Sequence, residues 1–184
     1  MVQLTGNNLI STAVFISGRG TNLKSLIKFS KKKNSPINIK LIISNTNKAK
    51  GLKYSKVYKI QKKVIDFKNK NIAEKKLLNL LSKKKIRFIC LAGFMKILPK
   101  KFIKKFSGKI VNIHPSLLPK YKGLNTHQKA LKNNDKYSGC TVHYVTDKVD
   151  SGKIILQKKV KIKRKDSLNT ITKKVLLEEH KLYP

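Results

Sequence analysis

The sequence has no tryptophan, two cysteines, five prolines and eight acidic residues against 44 basic ones, and each scarcity excludes something. Cys90 and Cys140 lie far apart, with no CxxC pair and no histidine at ligand spacing. Neither a disulfide framework nor a zinc site is signalled. Both cysteines read as reduced packing residues, and no metal is expected. No stretch reaches the ~18 unbroken apolar residues of a membrane span. The best run, residues 86–98, is broken by Arg87, Gly93 and Lys96, so no membrane association is expected. The first residues lack the basic start of a signal peptide, and the apolar residues 13–16 run straight into a glycine turn, which predicts a cytoplasmic protein.

What remains is a chain of 184 residues, 40% apolar, with seven phenylalanines and six tyrosines. That suits one compact domain over 1–184 with a loose lead-in over 1–11. The formal charge is +36. Such a balance ordinarily suggests nucleic acid, yet only Arg19, Arg87 and Arg164 are arginine, and the lysines are spread along the whole chain. Nucleic-acid sites favour arginine forks and interleaved aromatics, so the charge reads as compositional drift and no specific nucleic-acid partner is expected. Its physical consequence is a positive field that attracts small anions.

Residues 13–16 form a short apolar run ending in Ser17-Gly18-Arg19-Gly20, and Leu23, Leu26, Ile27 and Phe29 then fall near helical spacing. Further strands are predicted at 37–43, 57–60, 88–92 and 109–113, and helices at 49–55, 71–83, after Pro99 and at 126–133. Residues 140–145 and 153–162 read as consecutive strands with no helix between them, and Asp166-Ser167 offers an N-cap for a last helix to about Leu182. The rhythm predicts an α/β protein: an open, mostly parallel, Rossmann-like twisted sheet with helices on both faces and an antiparallel or crossover element near its end.

Such sheets bind ligands past the carboxyl ends of their strands. The turn 17–22 could present backbone amides to a phosphate at a helix N-terminus, although a ligand-free glycine turn accounts for it equally well. In Asn112-Ile113-His114-Pro115, strand alternation puts Asn112 and His114 on one side, and two prolines within five residues restrain the loop that follows. A lone histidine is more often structural. Asp150, in the turn 147–152, is either a turn former or, if it meets His114, the carboxylate that orients an imidazole for proton transfer.

The stretches "FISGRGTNL" (15–23), "LAGFMKIL" (91–98), "NIHPSLLPKYKGLNTHQKAL" (112–131), "VHYVTDKVDSG" (142–152) and "EEHKLYP" (178–184) resemble the phosphoribosylglycinamide formyltransferases of purine synthesis, from about residue 13 to 184. The long central motif is highly specific. The resemblance implies a formyltransferase fold and an enzyme that moves the formyl group of 10-formyltetrahydrofolate, its co-substrate, onto the amine of 5-phosphoribosylglycinamide. It implies small-molecule partners and a monomer or homodimer. Asn112, His114 and Asp150 match the family's catalytic trio. Gly20, Thr21 and Asn22 match the phosphate loop, and Leu176, Leu177, Glu178 and Glu179 a ribotide-side segment in which Glu179 accepts ribose hydroxyls. Met95, Lys96, Ile97 and Leu98 match the folate segment, and Thr146, Asp147, Lys148, Val149 and Asp150 the folate-contacting loop. Lys70 lies where the family often has an arginine near the folate.

Formyl transfer is attack of a neutral amine on an amide-like carbonyl through a tetrahedral species with a negative oxygen. Asn112 is expected to donate to that oxygen, protonated His114 to add charge and a proton, and Asp150 to hold the imidazole. His143 is placed to line the site, and His127 reads as a satisfied polar residue. Alternatives are a formyltetrahydrofolate hydrolase using the same trio with water, which calls for an extra N-terminal domain, the transfer-RNA formylating relative, which needs a further C-terminal one, and a non-catalytic basic nucleic-acid binder.

Overall fold

The computed structural model describes residues 9–184. In chain order the elements are β1 (Ile10–Ile16), α1 (Thr21–Ser30), β2 (Ile37–Ser44), α2 (Lys53–Tyr58), β3 (Gln61–Val64), α3 (Lys70–Lys83), β4 (Phe88–Leu91), α4 (Lys100–Lys105), β5 (Lys109–His114), α5 (Thr126–Lys132), β6 (Tyr137–Tyr144), β7 (Ile154–Lys161) and α6 (Leu168–Leu182). The strands make one sheet, ordered β3-β2-β1-β4-β5-β6-β7. The first five run parallel, β6 pairs antiparallel with β5 after α5, and β7 pairs antiparallel with β6 where the sequence lacks an intervening helix. This is the open α/β sheet the sequence predicts.

Period-two alternation splits the strand side chains into two cores. Ala13, Phe15, Leu41, Ile43, Ile89, Leu91 and Ile110 pack with Leu77 and Leu81 of α3 and Phe102 of α4. Val14, Ile16, Ile42, Cys90, Val111 and Ile113 pack with Leu23, Leu26 and Ile27 of α1 and Ile171 and Val175 of α6. Each fully buried Leu, Ile or Phe contributes roughly 1.5–3 kcal/mol. Both cysteines are unpaired and buried. Burial pushes each thiol up to about 12, which suits packing and not reactivity. The Tyr183 hydroxyl donates to the Leu91 and Val111 carbonyls at 2.9 and 3.2 Å, pinning the end of α6 to the middle of the sheet. Ser167 caps α6 by accepting from the Thr170 amide at 3.2 Å, and its loss should cost about 1 kcal/mol.

Two sequence expectations are corrected. The lead-in does not extend to residue 11, because β1 starts at Ile10, whose amide donates to the Pro36 carbonyl at 2.8 Å; residues 1–8 lie outside the described residues. A 3-10 turn, Lys50–Leu52, runs into α2, which ends on a left-handed Lys59, so residues 57–60 form no strand. The strand follows at Gln61–Val64, at the sheet edge with every side chain exposed, and no apolar alternation announces it.

Candidate active site

Strand order reverses between β1 and β4, and the crevice at such a reversal is where open α/β sheets hold ligands. Loops following β1, β4, β5 and β6 meet there around a cavity of about 940 Å³.

The loop after β1 is fixed from two sides. The Ser17 hydroxyl donates to Asn45 Oδ1 at 2.5 Å and accepts from the Met95 amide at 2.7 Å, tying this loop to the one after β4. Gly20 has φ 73°, and a Cβ there would lie 2.7 Å from the Cα of Gly51. Only glycine satisfies both the left-handed backbone and this crossing with the 3-10 turn. Gly51, whose amide donates to the Gly18 carbonyl at 2.9 Å, carries no signal in the sequence because its role is to lack a side chain.

On β5, Ile110 belongs to the core under α3 and α4, and two and four residues further the same side of the strand carries Asn112 and His114. Asn112 pairs across the ladder with His143 of β6, which puts both side chains on one face. The loop after β6 returns over that face and delivers Asp150, whose φ of 45° is unusual for a residue with a side chain.

Backbone carbonyls set the protons of both rings. The Tyr121 carbonyl can only accept, so His114 Nε2, 2.9 Å away, carries a hydrogen and donates it. His114 Nδ1 then faces Asp150 Oδ2 at 3.3 Å, where one proton can be held or released. His143 Nδ1 donates to the Tyr144 carbonyl at 2.8 Å, and its Nε2 lies 3.2 Å from Asn112 Nδ2 and 3.5 Å from Asp150 Oδ1. Asn112 Nδ2 also donates to Asp150 Oδ1 at 3.4 Å, and the Gly123 amide donates to Asp150 Oδ2 at 2.9 Å. Burial pulls His114 below the ordinary imidazole value, opposed by the Tyr121 carbonyl and the Asp150 carboxylate, which both favour the charged ring. Burial pushes Asp150 up, but the His143 contact, the Gly123 amide and the neighbouring imidazoles outweigh it and hold the carboxyl below the usual carboxylate range.

The central loop is held by more than its prolines. Thr141 of β6 donates to the Ser116 carbonyl at 2.6 Å and accepts from the Leu118 amide at 3.1 Å, while Thr126 donates to the Pro115 carbonyl at 2.7 Å.

Most residues singled out in the sequence line the cavity: Gly20, Thr21, Asn22, Met95, Lys96, Ile97, Leu98, Asn112, His114, Thr146, Asp147, Lys148, Val149, Asp150, Leu176 and Glu179. Three do not. Lys70 opens α3 on the exposed surface, Leu177 points to solvent at 59% exposure, and Glu178 turns to Lys181 at 2.7 Å. On α6, helical spacing brings Leu176 and Glu179 to one side and turns the two residues between them away. Burial pushes the Glu179 carboxyl up, and Asn22 Nδ2 opposes that by donating to its Oε2 at 2.6 Å. His127, read as a satisfied polar residue, also lines the cavity, and its buried Nδ1 has no hydrogen-bond partner among the described residues. Arg19, in the same wall, was not singled out.

Among the described residues, no helix is long and apolar enough to cross a membrane, and no three His, Cys, Asp or Glu side chains are grouped as metal ligands.

Residues 10–184 match the model of the formyl transferase family. The chain is 42% identical over 175 residues to the phosphoribosylglycinamide formyltransferase of Haemophilus influenzae, covering 94% of this chain and 82% of that protein. It is 43% identical over 175 residues to the human trifunctional purine biosynthetic protein adenosine-3, covering 94% of this chain but spanning only 17% of that much longer relative. The crystal structure of phosphoribosylglycinamide formyltransferase from Anaplasma phagocytophilum superposes with a TM-score of 0.90 at 40% identity, covering 95% of this chain and 83% of that one. With the match running from the first strand through the last helix, the chain belongs to the formyl transferase family.

Proposed function

We propose that this chain transfers the formyl group of 10-formyltetrahydrofolate to the amine of 5-phosphoribosylglycinamide, a step of de novo purine biosynthesis that leads to IMP, in the cytoplasm. One observation carries the reading. A single cavity of about 940 Å³ is walled by the glycine loop at the start of α1, by Glu179, by the segments 95–98 and 146–150, and by the side chains of Asn112, His114 and Asp150. A phosphorylated acceptor, a bulky aromatic donor and proton-transfer groups need those elements together. The names of the Haemophilus and Anaplasma relatives support the same reaction.

In this reading the amides of Gly20, Thr21 and Asn22 face the phosphate at the positive end of α1. Glu179 accepts from the ribose hydroxyls, and Leu176 packs beside it. The exposed apolar side chains of Met95, Ile97 and Val149 wait to be covered by the pteridine, with Lys96, Leu98, Thr146, Asp147 and Lys148 around it. The long Asn112–Asp150 bond gives way as the formyl oxygen gains charge, freeing an Nδ2 hydrogen to donate to it. His114 Nδ1, protonated against Asp150, supplies a second donor and a proton for the leaving nitrogen. Asp150, acting through a water, takes the proton lost by the attacking amine. The donor is a co-substrate, and no step requires a metal.

Incubation with an isotope-labelled formyl donor and the ribotide tests the assignment. Label recovered in the ribotide supports the transferase. Label released as formate regardless of ribotide overturns it in favour of a hydrolase.

A further inference from the structure

We infer that Asp135 is a positioning residue for this reaction: its carboxylate locks the side chain of Tyr121, so that the Tyr121 carbonyl holds the His114 imidazole with its hydrogen on Nε2. The inference rests on the role given to His114 above, and it concerns residues on the far side of the loop from the substrates.

The atom that keeps a hydrogen on His114 Nε2 is the Tyr121 carbonyl oxygen, 2.9 Å away. Its position depends on the Tyr121 backbone, which has φ 56°. A bulky residue in the left-handed region persists only where its surroundings over-determine it. Here the restraint comes from the other end of the same residue. The Tyr121 hydroxyl donates to Asp135 Oδ2 at 2.9 Å and accepts from Asn133 Nδ2 at 2.8 Å, so both of its hydrogen-bonding roles are filled. One residue earlier, the Lys120 carbonyl accepts from the buried Ser116 hydroxyl at 2.6 Å. Backbone and ring of Tyr121 are therefore gripped from opposite sides.

Asp135 is itself held in place. Its amide donates to the Ala130 carbonyl at 3.0 Å, and the left-handed Asn134 donates to the Leu131 carbonyl at 3.0 Å, which closes the end of α5. Its side chain is 15% exposed and takes Lys120 Nζ on Oδ1 at 3.1 Å. That lysine is 63% exposed, so the pair adds little, and the tyrosine hydroxyl is the partner that matters. Tyr121 and Asp135 line a separate cavity of about 290 Å³ and not the larger one. Any effect of Asp135 on turnover must travel through Tyr121 to the imidazole.

The test compares Tyr121→Phe, Asp135→Ala and Asp135→Asn by steady-state kinetics and by nitrogen NMR of the His114 ring, assigned through its loss in His114→Gln. Tyr121→Phe and Asp135→Ala should lower kcat by about ten- to a hundredfold, the scale of a misplaced catalytic group. The KM of each substrate should stay within about twofold, because neither residue lines the large cavity. Asp135→Asn, which keeps an oxygen for the tyrosine hydroxyl, should restore most of kcat. The His114 nitrogen shifts should move in the first two variants from a fixed Nε2–H pattern toward a mixture of tautomers. Unchanged shifts in Tyr121→Phe, or a loss of kcat that Asp135→Asn does not restore, overturns the inference. Tyr121→Phe is near-isosteric and carries the test if Asp135→Ala does not fold. The ring spectrum needs no turnover, so a tautomer response in the two variants of a protein whose wild type transfers no formyl group would sink the proposed reaction and leave the positioning intact.

Discussion

Asn22 Nδ2 donates to Glu179 Oε2 across 2.6 Å, joining the first helix to the last at residues 157 positions apart. Asn22 Oδ1 is buried without a partner among the described residues, and burial pushes the Glu179 carboxyl above its ordinary value. A raised carboxyl contributes stability that is complete in acid, below its unfolded value of about 4.3, and lost as pH rises through the folded value. Glu179→Gln should therefore raise the melting temperature at pH 7, since the glutamine amide can also donate to Asn22 Oδ1. The gain should shrink toward pH 4. The same variant should raise the ribotide KM by about tenfold or more, the scale of a lost hydrogen bond to a charged group. Thermal melts at both pH values check the first half and kinetics the second; a melting temperature that falls at pH 7 contradicts the burial argument.

His114→Ala and Asp150→Asn should each lower turnover by about two orders of magnitude or more with native circular dichroism, as expected for lost acid-base groups. A folded variant that keeps near wild-type turnover removes that residue from the mechanism.

Asp150 also leaves a mark on the titration of His114. Burial sets the imidazole below its ordinary value, and the carboxylate is among the groups that pull it back up. Replacing the carboxylate by an amide should move the His114 midpoint further to acid, which an NMR titration of Asp150→Asn reads directly. A midpoint unchanged or shifted to higher pH contradicts the contact.

Gly20→Val should raise the KM of the ribotide far more than that of the folate. A Cβ at Gly20 would lie 2.7 Å from the Cα of Gly51, so the substitution displaces the amide loop itself. Gly51→Ala, whose Cβ would lie 2.9 Å from the Cα of Gly20 and 2.8 Å from Ile16 Cδ1, should have the same selectivity in milder form. Steady-state kinetics varying each substrate in turn checks both. Equal weakening toward both substrates argues against a phosphate role for this loop.

Elements that bury a face were legible in the sequence. The uniformly apolar β4 and the helical spacing of α3 are written in residue type, and the antiparallel β6 and β7 follow from a missing helix. β3 was not legible, since an exposed edge strand reading Gln-Lys-Lys-Val carries no burial pattern, and neither was the start of β1 in Ile-Ser-Thr. Asn112 and His114 stood out through strand alternation, whereas their meeting with Asp150 needed a loop to fold back by an amount that no local rule supplies. Gly51, Ser17, Tyr121 and Asp135 stayed hidden because they act through a missing side chain, a backbone carbonyl or a contact across the loop. Lys70, matched by position alone, sits at the exposed start of α3 and does not line the cavity.

The most direct test of the account follows release of tetrahydrofolate from 10-formyltetrahydrofolate by the purified protein, with and without 5-phosphoribosylglycinamide. The predicted result is release that depends on the ribotide, saturates with it, produces one formylated ribotide per tetrahydrofolate and is abolished by His114→Ala. Release at full rate without ribotide, or no release in its presence, would contradict the central claim.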